Sequence, residues 1–133
     1  MNMTFQYFLI NGRTSFVFGE SYGSILDNFK NYKLYEIDKN SGSFAVHYDG
    51  VELLFDDYKL CLVQYEISRV FQLYINKNKI TKNTSINEFK SYLDEINVSY
   101  LDEEIDGQRL LVTDHKVKIY FEETLFSTAI KSW

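Results

Sequence analysis

Proline is missing from this 133-residue chain, cysteine occurs once, histidine twice and glycine only six times. One cysteine cannot build an internal disulfide framework, so a reducing compartment is expected. Few glycines and no proline exclude collagen-like and low-complexity chains. Long apolar runs are lacking as well: the opening stretch, residues 5–10, is too short to span a bilayer. No basic residues precede it and no cleavage pattern of small residues follows, so it reads as the first strand of the fold and not as a secretion signal. The cytoplasm is therefore the expected place of work, with no membrane partner. Basic residues are in short supply too, 14 Lys and Arg against 19 Asp and Glu, for a net charge of −5. That balance argues against a general nucleic-acid binder but leaves room for a local basic patch.

What the chain does have is apolar and aromatic mass, 45% hydrophobic with 17% aromatic. A 15.8 kDa chain buries roughly 68% of its unfolded surface, enough for a core without staples. Its most informative feature is self-similarity. At an offset of 66, Phe5-Gln6-Tyr7-Phe8-Leu9 lies over Phe71-Gln72-Leu73-Tyr74-Ile75. The same offset sets Val51-Glu52-Leu53-Leu54-Phe55-Asp56-Asp57 over Val117-Lys118-Ile119-Tyr120-Phe121-Glu122-Glu123. Between these anchors, an offset of 64 aligns Ser21, Tyr22, Ile25 and Phe29 with Ser85, Ile86, Phe89 and Leu93. The expected organisation is one domain, 1–133, built of two similar modules at about 1–67 and 68–133.

In the first module, 5–10 and 14–18 read as strands around an Asn11-Gly12 turn. Ser21 then caps a helix over 22–32, whose Tyr22, Ile25, Leu26, Phe29 and Tyr32 share one face. Strands follow at 33–37, 43–48, 51–55 and 60–67, with Asp49-Gly50 as a hairpin turn. The second module reads as a strand at 70–75, a polar connection at 76–83 and a helix with Ile86, Phe89, Leu93 and Ile96 on one face. Thr84 or Ser85 caps this helix; with Thr84 as the N-cap, Asn87 stands where a capping-box Glu belongs. Strands at 98–101, 109–113, 116–121 and 125–130 complete the chain. The fold class expected is α+β: two tandem β-α-β-β type repeats with helices packed on a mainly antiparallel sheet, since hairpin-length connections cannot make parallel crossovers. The lack of proline leaves edge strands without an obvious blocker, compatible with an edge meant to be joined.

Catalysis needs convergent groups, and the sequence offers few. His47 and His115 do not occupy equivalent repeat positions, and neither has a second His or a Cys at metal-ligand spacing. Cys61 sits in the apolar run Leu60-Cys61-Leu62-Val63, the setting of a buried structural thiol. Gly19-Glu20-Ser21-Tyr22-Gly23 lacks the third glycine and the lysine of a phosphate loop. The pairs Asp56-Asp57 and Glu122-Glu123 are adjacent in sequence at strand ends, so their side chains diverge. No enzyme activity, no catalytic residue, no metal and no cofactor are expected.

Charge is unevenly distributed. Between Ser91 and Gln108 lie Asp94, Glu95, Asp102, Glu103, Glu104 and Asp106 with no Lys or Arg, so the rest of the chain carries +1 against −6 here. Tyr92, Tyr100, Leu101 and Ile105 are interleaved. Carboxylates beside tyrosines suit a surface that covers a basic groove, because the acids steer association and Tyr supplies anchor area. A solvated helix end and hairpin is the other reading of the same stretch. Upstream, Lys77, Lys79, Lys82 and Lys90 form a small basic counterpart.

The segments GESYGSILDNFKNYK (19–33) and HYDGVELLFDDYKLCLVQYEI (47–67) resemble the small immunity proteins of bacterial polymorphic-toxin and contact-dependent growth inhibition systems. In them a glycine-led helix is followed by Tyr-Asp-Gly, an apolar strand, Phe, an acidic turn and another strand. The second module keeps the strand and acidic turn but replaces Tyr48-Asp49-Gly50 with Asp114-His115-Lys116. The resemblance implies a protein that binds one cognate toxin C-terminal domain, basic and commonly a nuclease, and occludes its active site. Contacts are then expected from Asp94, Glu95, Tyr100, Asp102, Glu103, Glu104 and Asp106, with Asp56-Asp57 and Glu122-Glu123 in reserve. Two alternatives stand beside it: a single-stranded nucleic-acid module using Lys77, Lys79 and Lys82, although nucleic acid is not the expected partner, and a small-ligand-binding α+β domain.

Overall fold

The computed structural model describes residues 2–48, 50–69 and 73–133. Its elements are helices α1 (Phe5–Asn11), α2 (Tyr22–Leu26) and α3 (Ile86–Glu95), and ten strands. The first four are β1 (Lys33–Asp38), β2 (Ser43–Tyr48), β3 (Val51–Asp56) and β4 (Lys59–Glu66). A short hairpin, β5 (Leu73–Ile75) and β6 (Asn78–Ile80), precedes α3. After it come β7 (Tyr100–Ile105), β8 (Gln108–Thr113), β9 (Lys118–Glu122) and β10 (Leu125–Ser132).

These elements correct the expected fold class. Strand outweighs helix by 46% to 17%, so the molecule is mostly β and not an α+β arrangement of β-α-β-β repeats. One eight-stranded antiparallel sheet in the order β1-β2-β3-β4-β10-β9-β8-β7 dominates it. The expected first strand is the helix α1: Phe5, Phe8 and Leu9 recur at helical spacing and are buried. Thr4 caps its start, and Gly12 in the left-handed region closes it with a backbone bond to Phe8. Residues 14–18 form no strand. The helix expected over 22–32 stops at Leu26, and Phe29 is buried from the turns that follow. Residues 76–83, expected as a connection, contain β6, paired to β5 through a two-residue turn with Asn76 at φ 54°. The expected strand at 98–101 begins instead at Tyr100 and runs to Ile105. Part of the expected strand at 70–75 lies outside the described residues.

The hairpins follow from turn chemistry. Asp57 and Tyr58 between β3 and β4, and Asp106 and Gly107 between β7 and β8, all have positive φ, the geometry that two-residue hairpins require. Alternation then sorts the faces. In β3, Val51, Leu53 and Phe55 are buried while Glu52 and Leu54 are half-buried. Tyr48, Val51, Tyr65, Ala129, Ile119, Leu111 and Asp102 stand opposite one another from β2 across to β7, and this is the face that meets the helices. Phe5, Phe8, Ile25, Phe89 and Leu93 from the helices join it in one hydrophobic core. The other face of the sheet carries no helix.

The four-stranded runs β1–β4 and β7–β10 meet at β4 and β10 in mirrored order. Backbone pairing recurs between them. Ser21 bridges Lys59, and Ser85 bridges Leu125. The amide of Tyr22 donates to Tyr58, as that of Ile86 does to Thr124; Leu60 donates to Glu20, as Phe126 does to Thr84. Each helix start is thereby stitched to the hairpin turn before the strand that joins the halves.

Of the two N-cap candidates, Thr84 and Ser85, it is Ser85 that caps α3, and its capping box is complete: the Glu88 amide donates to Ser85 Oγ and the Ser85 amide to Glu88 Oε1, both at 3.1 Å. The bond from the Ser85 amide holds the Glu88 carboxyl below its ordinary range. Ser85→Ala is expected to cost about 1 kcal/mol, read as a lower urea midpoint with an unchanged m-value. An unchanged midpoint would show that packing alone sets the start of α3.

Candidate partner-binding surface

The acidic stretch occupies the end of α3 and the edge strand β7, and the fold divides its residues into groups. Asp94 and Tyr100 line one shallow hollow where α3 hands over to β7. Burial first, then the nearby Asp94 carboxylate, pushes the Tyr100 hydroxyl upward from its ordinary value. Glu95 points elsewhere: it accepts from Asn78 Nδ2 at 3.1 Å and from Asn76 Nδ2 at 3.4 Å, tying α3 to the β5–β6 hairpin.

Asp102 lies on the helix side of β7, opposite buried Leu111. Its Oδ2 accepts from Lys90 Nζ of α3 at 2.5 Å and from Arg109 of β8 at 2.6 Å. The Lys90 bond is the largest cause, with Arg109 behind it, holding the carboxyl below its ordinary range. Asp102 is therefore a clamp on the edge strand, with its charge already answered inside the molecule.

The sign of its pH dependence follows. A depressed folded pKa contributes stability that is present above the unfolded value, about 3.9, and is lost as pH falls through the folded value. Asp102→Asn is expected to destabilise by less than about 1 kcal/mol at pH 7, since the pair is partly exposed. Urea titration at pH 7 and at pH 3 checks this. A deficit that is equal at both values would contradict the clamp.

Strand alternation puts Glu104 on the same side as Asp102 and Glu103 on the opposite, helix-free side with Leu101 and Ile105. Asp106 sits in the β7–β8 turn. The structure thus gathers Glu103, Glu104 and Asp106 along one free edge, sets Asp94 and Tyr100 beside its start, and engages Glu95 and Asp102 in internal contacts while leaving both exposed. Leu101 is 64% exposed and Ile105 51%, apolar side chains that an edge strand ordinarily avoids.

The reserve pairs lie apart from β7, one at the β3–β4 turn and one at the β9–β10 turn. Asp56 accepts from Ser43 Oγ at 2.6 Å, while Asp57 and Glu123 serve turns at positive φ. The lysines do not form a basic platform either. Lys90 is held by Asp102, and Lys79 and Lys82 line a cavity with Glu66, Glu122 and Glu123.

A second cluster was not foreseen. On the helix-free face, His47 Nε2 lies 2.7 Å from Glu52 Oε2, and Arg69 donates to the same oxygen at 2.6 Å. The Asp49-Gly50 turn signal could have revealed it, because a two-residue turn pairs residues 48 and 51 and so faces His47 with Glu52. Among the described residues, no three His, Cys, Asp or Glu side chains come together in a way that could hold a metal ion, and no helix is long and apolar enough to cross a membrane. No family model, no curated protein and no solved structure matches the chain.

Proposed function

We propose that the protein is a non-catalytic inhibitor of the immunity-protein kind, working in the cytoplasm, which binds a cognate antibacterial toxin domain and covers its active site. The toxin is taken to be basic, most simply a nuclease. One observation carries this reading: β7 is a free sheet edge that combines exposed Leu101 and Ile105 with Glu103, Glu104 and Asp106, none of them in an ion pair among the described residues. Unpaired backbone groups offer register, the apolar side chains offer desolvated anchors, and the free carboxylates offer steering toward a cationic cleft. Asp94 and Tyr100 extend the surface. Glu95 and Asp102 support it from behind.

The test begins with the reading frame beside this chain's gene: a large protein with a basic C-terminal domain is expected there, and that domain is the partner to use. The two are expected to co-purify and the domain's activity to fall to background. Reversing Glu103, Glu104 and Asp106 to lysine is expected to lower affinity at least about tenfold and to flatten its dependence on salt. Unchanged affinity and unchanged salt dependence would reject β7 as the contact.

A further inference from the structure

The unforeseen cluster lies at the opposite end of the sheet from β7, in a cleft of about 1300 Å³ between β1, β2, β3 and the residues after β4. Strand register lays two rows of side chains across β1–β4, and the cleft is lined by Lys33, His47 and Glu52 of the first and by Tyr35, Ala45 and Leu54 of the second. One row is polar and runs Lys33, His47, Glu52, Gln64. The next is apolar and runs Tyr35, Ala45, Leu54, Leu62. Ala45, the smallest side chain in its row, lines the cleft between Tyr35 and Leu54. Tyr35 is 48% exposed, and Tyr32, on the same wall, 41%.

The charges at the rim do not cancel. Glu52 is already shared by His47 and Arg69, and Arg69 also reaches Glu66 at 3.3 Å. Lys30 and Lys33, both lining the cleft, enter no ion pair among the described residues. A surplus of positive charge therefore faces an apolar, tyrosine-walled depression in a chain whose net charge is −5. The acidic edge does not neutralise it. Seven strand steps separate β1 from β7, roughly 33 Å along the sheet, against a screening length of about 8–10 Å.

We propose that this cleft binds a ligand combining a flat ring with an anionic head, the chemistry a nucleotide presents. The ring lies on the apolar row beside Tyr35, over Ala45 and Leu54. The phosphate meets Lys33 and Lys30, with the Arg69 guanidinium at the back of the site. Stacking on tyrosine tolerates any base, while the lysines select for the charged head. This site is separate from the β7 surface, and the two stand or fall independently.

Calorimetric titration of the full chain with AMP, adenosine, inorganic phosphate and a six-residue oligo(dT) tests it. AMP is expected to bind at least about tenfold more tightly than adenosine or phosphate alone, since each supplies half of the recognition. Lys33→Glu, on an exposed edge strand, is expected to weaken AMP at least about tenfold, and Tyr35→Ala to weaken it without changing its dependence on salt. Lys118→Glu, in the same row but on β9, is expected to leave binding unchanged. Melting curves confirm that each variant is folded. Oligo(dT) binding that depends on Lys33 in the absence of AMP binding would identify a single strand as the source of the same chemistry. No heat with any probe at millimolar concentration, or binding indifferent to Lys33→Glu, overturns the proposal.

Discussion

Phe89→Ala is expected to remove about 3–5 kcal/mol of stability, the largest loss of any single truncation considered. Phe89 is fully buried on α3. Its ring lies 5.2 Å from Phe126, 5.7 Å from Phe121 and 6.2 Å from Phe5. Those partners belong to β10, β9 and α1, so one ring joins the longest helix, the sheet and the N-terminal helix. Removing it leaves a cavity that strands on one side and helices on the other cannot both close, and edge-to-face contacts are lost in addition to buried area. A domain of this size has about 5–15 kcal/mol in total, so the variant should sit close to its unfolding transition at 37 °C. Urea unfolding followed by far-UV circular dichroism measures it. A loss under about 1.5 kcal/mol, as expected for a site that collapses freely, would show that α3 is not central to the core.

Gly12→Ala is expected to rank second, at about 2–4 kcal/mol. Gly12 ends α1 at φ +70°, where a side chain is strained. A Cβ there would also stand 2.7 Å from His115 Cβ and 2.8 Å from the His115 carbonyl oxygen. The carbonyl is backbone and already accepts from Lys131 Nζ, so it has little room to yield. The end of the first helix is thus seated against the β8–β9 turn of the other half of the chain. Gly107→Ala separates the two effects: its φ is +80° but nothing lies within 4 Å of the added carbon. It should lose only the conformational part, about 1–2 kcal/mol. Equal losses at the two positions would show that the close approach to His115 relaxes without penalty.

The readable parts of the sheet were those bounded by turn residues. The β2–β3 hairpin lies where the Asp49-Gly50 signal put it, Asp106-Gly107 bounds the β7–β8 hairpin, and β2, β3, β4, β8 and β10 lie close to their expected spans. The face of α3 was legible because Ile86, Phe89 and Leu93 follow helical spacing through ten residues. Seven residues were too few to decide α1. Phe, Tyr and Ile favour strands by propensity, and against them stood the Phe5, Phe8, Leu9 spacing over two turns and the caps Thr4 and Gly12 at the ends. The 5–10 stretch also aligns at the offset of 66 with residues 71–75, where β5 begins only at Leu73 among the described residues. Sequence similarity there did not carry secondary structure, because a short apolar segment takes whichever form its packing partners impose.

The candidate surface divides in the same way. The clustering of six carboxylates between residues 91 and 108 is a property of the chain alone. Which of them are free is not. Asp102 meets Lys90, twelve residues earlier, only because α3 packs on the sheet within side-chain reach of β7; Glu95 meets Asn76 and Asn78 only because a hairpin docks beside that helix. Lys33, His47, Glu52 and Gln64 likewise become one row through strand register. Turns, caps and short-range periodicity are fixed by interactions within a few residues, so the amino-acid order determined them directly. Charge pairing, the mirrored strand order and the basic cleft depend on contacts between distant segments, whose loop-closure cost only the complete core offsets, and these the tertiary structure alone decided.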